Sequence, residues 1–297
     1  MRVSVTAFRS DGRTPRRQGK GGNVPEPFTH FWHNGSMQIP KSAKIMISLL
    51  ATITALYLLF CILLYTVQRH LIFFPTPEAD LPGVPYIVLD TGAVRVKVWT
   101  LNPGRGRGVL YFGGNAENVA DSIPAFASLF PDRSVYLVNY RGFGGSSGTP
   151  GEAGLEADAL LAYDYFAKKH RSLAVMGRSI GSAVAAYVAS ERPVEKLILV
   201  TPFDTLENVA RYHYPWLPVG VILKERYDTA SRGAKITANT LIVATTDDEV
   251  IPYRLSRRLG DTLINASVQR AELSEVGHNT VHLHPAYGKI LSDFMRR

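Results

Sequence analysis

The stretch Leu173-Ala-Val-Met-Gly177-Arg178-Ser179-Ile180-Gly181-Ser-Ala-Val-Ala-Ala-Tyr-Val-Ala189 decides the reading of this chain. An apolar run of strand composition reaches a glycine, a serine stands between two glycines, and an alanine-rich helical pattern begins with no loop residues between. That order predicts a strand-to-helix elbow. So tight a turn leaves no room for flanking side chains and strains the backbone of Ser179, so glycine is needed on both sides and the hydroxyl projects above the sheet. The amides that open the following helix point at the same spot and favour an oxyanion there, which makes Ser179 the candidate nucleophile. The competing reading is a Ser/Gly turn with an exposed hydroxyl. Strand before and helix after separate the two.

On either side of the elbow the chain alternates strand and helix. Residues 86–89 and 94–101, the latter alternating as Val-Arg-Val-Lys-Val-Trp, pair naturally as an antiparallel edge hairpin. Short buried strands are expected over 108–112, 135–139, 196–200, 240–245 and 268–273, with helices over 119–130, 152–170 and 285–296. Such alternation requires an α/β fold, a mostly parallel sheet covered by helices on both faces, with ligands at the carboxyl ends of its strands. The segment 203–236, between two sheet strands and carrying Tyr212, His213, Tyr214 and Trp216, is the natural small helical cap. Its aromatics either line an acyl or side-chain pocket or pack the cap on itself.

The net charge of +8 suggests a nucleic-acid partner until it is located along the chain. Eight basic residues precede Ile45 (Arg2, Arg9, Arg13, Arg16, Arg17, Lys20, Lys41 and Lys44) against Asp11 and Glu26, leaving +6 there and +2 in all the rest. A nearly neutral body removes the support for nucleic-acid binding. Residues 1–44, rich in Gly, Pro and Arg without apolar periodicity, read as a disordered basic tail, and the compact sequence from Met37 is an alternative start of translation.

Residues 45–67 are 23 residues without a charge, bounded by Lys44 and Arg69. As a helix this run is about 34 Å long, enough to cross a bilayer with some tilt. It exceeds a signal-peptide core and no small-x-small cleavage site follows, so an uncleaved transmembrane anchor is expected. Lys41, Lys44 and the tail outnumber Arg69, which favours a cytoplasmic N-terminus and an extracytoplasmic domain. The proline-rich stretch 68–85 then forms a stiff linker to the domain over 86–297. Cys61, the single cysteine, lies within the apolar run, which excludes an intramolecular disulfide and a thiolate metal site.

A serine hydroxyl needs a base, and the base needs a carboxylate to fix its tautomer. The strand over 240–245 ends at Thr246-Asp247-Asp248-Glu249-Val250-Ile251-Pro252, and that over 268–273 leads into Glu275-Val276-Gly277-His278-Asn279. Each candidate therefore leaves the carboxyl end of a strand, and the order Ser179, Asp248, His278 is that of the hydrolase elbow class. His282 and His284 lie close to His278, but no His-Glu-x-x-His pattern or carboxylate set accompanies them, so no metal and no cofactor are expected.

On these motifs the chain, over roughly residues 70–297, resembles the α/β-hydrolases, in particular the membrane-anchored, single-domain branch of serine aminopeptidase-like or esterase-like enzymes. The family's Gly-x-x-Asp-x-x-Val-Pro pattern is met by Asp248-Glu249-Val250-Ile251-Pro252, with Thr245 in place of the glycine; Asp247 is the alternative acid. The resemblance implies His278 as base, and, with Gly113-Gly114-Asn115 in place of His-Gly-Asn, an oxyanion hole from the backbone amides of Asn115 and Ile180. Tyr140-Arg141-Gly142-Phe143-Gly144 also matches, and reads as scaffold that passes near the site. The activity implied is that of a membrane-anchored serine hydrolase acting on a small acyl-containing substrate, lipid-like or peptide. Esters and thioesters are favoured over peptides because no acidic cluster to hold an amino terminus is visible. The alternatives are an aminopeptidase-type peptidase and a catalytically inactive module of the same fold that binds at the membrane.

Overall fold

The computed structural model describes residues 40–297. The expected tail, up to residue 39, and the start at Met37 lie outside the described residues. The chain divides into two units, Met1–Ala51 and Thr52–Arg297. Of the first, the described part is almost entirely the start of helix α1, Lys41–Ile72.

Helix α1 is long and apolar enough to cross a membrane, and nearly all of its apolar residues are exposed. It continues past the charge-free run, through residues expected to begin the linker. The physical reason is that its last turn has partners: Gln68 Nε2 donates to the Ile222 carbonyl at 2.9 Å, Gln68 Oε1 accepts from the Lys224 amide at 2.7 Å, and Arg69 pairs with Glu225 at 2.6 Å.

The eight strands are β1 Tyr86–Asp90, β2 Arg95–Leu101, β3 Arg107–Phe112, β4 Ser134–Val138, β5 Ser172–Arg178, β6 Lys196–Val200, β7 Asn239–Thr245 and β8 Val268–Leu273, in the order β1-β2-β4-β3-β5-β6-β7-β8. The edge hairpin β1–β2 is antiparallel, as is β2 to β4, and every other neighbouring pair is parallel. Successive residues of β5 serve opposite cores: Leu173 and Val175 join one, Ala174 and Met176 the other. Helices α3 (Glu152–Ala167), α4 (Ile180–Glu191) and α8 (Tyr253–Thr262) cover the first face, and α2 (Ile123–Leu129) and α9 (Tyr287–Arg296) the second. Between β6 and β7 lie three short helices, α5 Leu206–His213, α6 Val219–Ile222 and α7 Thr229–Arg232.

Two local features differ from the sequence expectation. The helix expected over 119–130 is a 3-10 turn, Val119–Ser122, followed by α2. Pro124 sits in the first turn of α2, where its missing N–H costs nothing but ends the preceding ladder. Lys97, on the polar side of the β2 alternation, is buried rather than solvated. Its ammonium lies 4.3 Å and 4.1 Å from the ring centres of Tyr86 and Trp99 and pairs with Glu78 at 2.8 Å, so the linker covers that side of the edge.

Candidate active site

A single residue, Ser179, joins β5 to α4, with φ 53° and ψ −122°. Positive φ in a residue with a Cβ costs about 1–3 kcal/mol and persists only where the surroundings enforce it. Here they do, through two contacts that only glycine permits. A Cβ on Gly177 would lie 2.0 Å from the Gly181 carbonyl oxygen, and one on Gly181 would lie 2.2 Å from that of Phe112. The Ser179 amide donates to the Val200 carbonyl at 2.9 Å, fixing the elbow to β6.

The loops after β7 and β8 bring two further groups to this point. His278 Nε2 lies 3.0 Å from Ser179 Oγ, and His278 Nδ1 lies 2.8 Å from Asp248 Oδ2. Asp248 is itself held: its Oδ1 accepts from the amides of Val250 at 3.0 Å and Ile251 at 2.7 Å. The His278 side chain is 5 % exposed, so its hydrogen bonds compete little with water. Asp247 points elsewhere, its exposed carboxylate accepting the Glu275 amide at 2.8 Å.

The loop after β3 closes the opposite side. A Cβ on Gly114 would stand 3.6 Å from the Ser179 Cβ, which places this loop against the elbow. The next residue, Asn115, uses its side chain as a clasp: Nδ2 donates to the Ile72 carbonyl at 2.5 Å and Oδ1 accepts the Phe74 amide at 3.0 Å. The loop after β3 is thus fastened to the end of α1. The backbone amides of Asn115 and Ile180 have no acceptor among the described residues. The amide of Ile180 also opens the 12-residue helix α4, whose N-terminal end carries partial positive charge.

Several positioning residues escaped the sequence reading. Glu117 accepts the Gly114 amide at 2.7 Å and pairs with Arg178 at 3.0 Å, while its other oxygen accepts the Tyr111 hydroxyl at 2.7 Å. Burial and then the Glu117 charge hold the Tyr111 hydroxyl well above its ordinary range, so it stays a donor. Arg178 also donates to the His278 carbonyl at 3.3 Å and to Asn279 Oδ1 at 3.1 Å. One guanidinium therefore spans the loop after β3, the elbow and the loop of His278. Glu249 accepts the His278 amide at 2.9 Å, and that hydrogen bond draws its carboxyl below the usual range. Thr245, which stands where the resembled pattern has glycine, donates its hydroxyl to the Val276 carbonyl and ties the acid and histidine loops together. The Tyr140 hydroxyl donates to the Gly113 carbonyl at 2.8 Å, so the scaffold loop steadies the loop after β3. Pairs such as Arg178 and Glu117 stand too far apart in the chain to leave a periodic signal. Three charged residues directly flanking motif positions were the clue available.

Two further histidines are bonded to backbone groups. His213 Nε2 lies 2.7 Å from the Val250 carbonyl, and His284 Nδ1 accepts the Ala286 amide at 3.1 Å. Among the described residues no three His, Cys, Asp or Glu side chains are grouped to hold a metal ion.

No family model matches the chain. An uncharacterised protein of Mycobacterium tuberculosis is 34 % identical over 250 residues, which cover 79 % of this chain and 88 % of that protein. The lysophosphatidylserine lipase ABHD12 of Danio rerio is 28 % identical over 191 residues, 54 % of this chain and half, 50 %, of the lipase. Among solved structures, the Pyrococcus furiosus esterase Pf2001 superposes with a TM-score of 0.59 at 14 % identity, covering 76 % of this chain and 97 % of the esterase. At that identity the likeness to the esterase speaks for the fold alone, and the match to the lipase spans only half of that protein. With its elbow, its sheet order and these likenesses, the chain belongs to the α/β-hydrolase superfamily.

Proposed function

We propose that the protein is a membrane-anchored serine hydrolase that cleaves an acyl ester or thioester through an acyl-enzyme. Ser179 Oγ attacks the acyl carbonyl as its proton passes to His278 Nε2. Asp248 holds the Nδ1–H and stabilises the imidazolium, and the amides of Asn115 and Ile180 receive the oxyanion. Collapse of the tetrahedral intermediate expels the alcohol or thiol, which takes the proton from His278; water, deprotonated by the same ring, then releases the acid and restores the serine. The observation that carries this reading is the pair of contacts on one ring, 3.0 Å to Ser179 on one nitrogen and 2.8 Å to Asp248 on the other.

A fluorophosphonate probe tests it. Labelling of the wild type that disappears in Ser179→Ala is the expected result; equal labelling of both removes Ser179 from this role, and labelling of neither leaves a non-catalytic module.

Helix α1 is proposed to span the membrane with the catalytic domain on the extracytoplasmic side, because Lys41 and Lys44 precede the charge-free run and Arg69 alone follows it closely. Protease added to intact cells then digests the domain; protection until the cells are lysed reverses the orientation.

A further inference from the structure

Helix α1 does not leave the domain at its end; the cap follows it back into the apolar run. The Tyr57 hydroxyl donates to the Trp216 carbonyl at 2.8 Å, and the Phe60 and Trp216 rings stack with centres 6.0 Å apart. Nearer the end of the helix, the Lys224 ammonium lies 3.8 Å from the centre of the Tyr65 ring, and Arg69 pairs with Glu225. At 1.5 Å per residue, Phe60 lies about 10 Å, and Tyr57 about 15 Å, inside the end of the charge-free run at Val67. A cap that touches those residues is therefore submerged with them. Its composition agrees, since Tyr214, Trp216 and Val221 are all more than half exposed, at 52 %, 58 % and 81 %. In water that is an unfavourable surface, but in the interfacial and acyl layers aromatic and aliphatic side chains are at home.

Between this ledge and α1 lies an apolar slot of about 310 Å³. Leu64, Leu71 and Ile72 form one wall, and Ala210, Leu217 and Val219 are among the residues of the other. Both walls lead to the site. Ile72 offers its carbonyl to the Asn115 side chain of the oxyanion loop. On the cap side α5, which lines the slot through Ala210, ends at His213, whose ring bonds the Val250 carbonyl in the acid loop. At roughly 30 Å³ for a water-sized group, the slot has room for about ten methylene-sized units.

We propose that this slot receives the acyl chain of a bilayer lipid, which enters sideways from the hydrocarbon beside α1 and brings its ester carbonyl up to Ser179. The occupant is a membrane lipid because one wall belongs to the anchor itself, so the slot's surroundings are lipid tails. As a statement about substrate, the proposal rests on the hydrolase reading above.

The test uses the full chain carrying Ser179→Ala, reconstituted in vesicles of phosphatidylcholine, part of it bearing a diazirine near the end of one acyl chain. Photolysis followed by peptide mass spectrometry is expected to place label on the slot's cap wall, at Ala210, Leu217 and Val219, as well as on α1. Label confined to α1 overturns the slot. In a second arm, Ala210→Trp narrows the slot in otherwise wild-type protein. The ratio of dodecanoyl-ester to acetyl-ester turnover is expected to fall about tenfold or more, the worth of roughly two buried methylenes. An unchanged ratio in a variant that still labels with fluorophosphonate overturns the proposal. Photolabelling needs no turnover, so failure of the hydrolase chemistry and failure of the slot give different results.

Discussion

Replacing Asp248 by Asn is the sharpest test of the proposed chemistry, because the structure dictates which way the amide must face. Oδ1 of Asp248 accepts two backbone amides, from Val250 at 3.0 Å and Ile251 at 2.7 Å. An asparagine must offer its carbonyl oxygen to those donors, since the flipped amide would leave both unsatisfied at about 1–3 kcal/mol each. Its NH2 then occupies the place of Oδ2, 2.8 Å from His278 Nδ1. Donor would face donor, so the ring moves its proton to Nε2, the nitrogen that must accept the Ser179 proton. The wrong tautomer costs a serine hydrolase about 10⁴-fold in kcat, or about 5.4 kcal/mol in the barrier. Asp247→Asn alters an exposed carboxylate that accepts from the Glu275 amide and the neighbouring Thr246 hydroxyl, and surface changes of that kind stay within about 0.5 kcal/mol, a factor of roughly two. Steady-state turnover of a short chromogenic ester by both variants, with thermal unfolding as the check on folding, gives the comparison. Asp248→Asn retaining more than about a tenth of wild-type kcat would refute the reasoning, as would the opposite ranking.

Two other parts of the molecule give further expected outcomes. Asn115→Ala keeps the backbone amide but loses both side-chain hydrogen bonds of the clasp, each worth about 1 kcal/mol, so kcat for the same ester should fall by up to roughly thirtyfold; wild-type turnover would disconnect the clasp from the site. Burial lifts the Glu156 carboxyl from its ordinary 4.5 to about 7, outweighing its Arg232 partner. The native chain then binds a proton that the unfolded chain has released, so stability is greatest at or below about pH 4.5, falls as pH rises towards about 7, and changes no further above it through this group. Unfolding temperatures of the detergent-solubilised chain at several pH values should show this slope reduced in Glu156→Gln; an identical slope in the two proteins would remove Glu156 as its source.

The elbow was legible because its requirements are local: a strand, two glycines that admit no Cβ and a helix, all within one short stretch. The parallel sheet was readable from the alternation of apolar runs, and the antiparallel edge from the Val-Arg-Val-Lys-Val pattern. What stayed hidden depends on contacts between distant residues. The Arg178–Glu117 pair, the Glu249 carboxylate on the His278 amide and the Asn115 clasp all join segments that only the fold brings together. Amphipathic helix α8 went unassigned for a related reason: its apolar positions Leu255 and Leu259 are few among arginines, and their burial depends on the sheet beneath them. The end of α1 was misjudged because polar Gln68 and Arg69 look like a boundary until Ile222, Lys224 and Glu225 supply their partners.

The clasp on Ile72 also bears on how the protein is handled. Trimming away the whole of helix α1, the usual route to a water-soluble version, would delete the carbonyl that Asn115 grips and strip the ledge of its neighbour. Feeble turnover by such a fragment would then report the surgery rather than the enzyme. Membrane mimics that keep the helix intact are the fair setting in which to look for substrates.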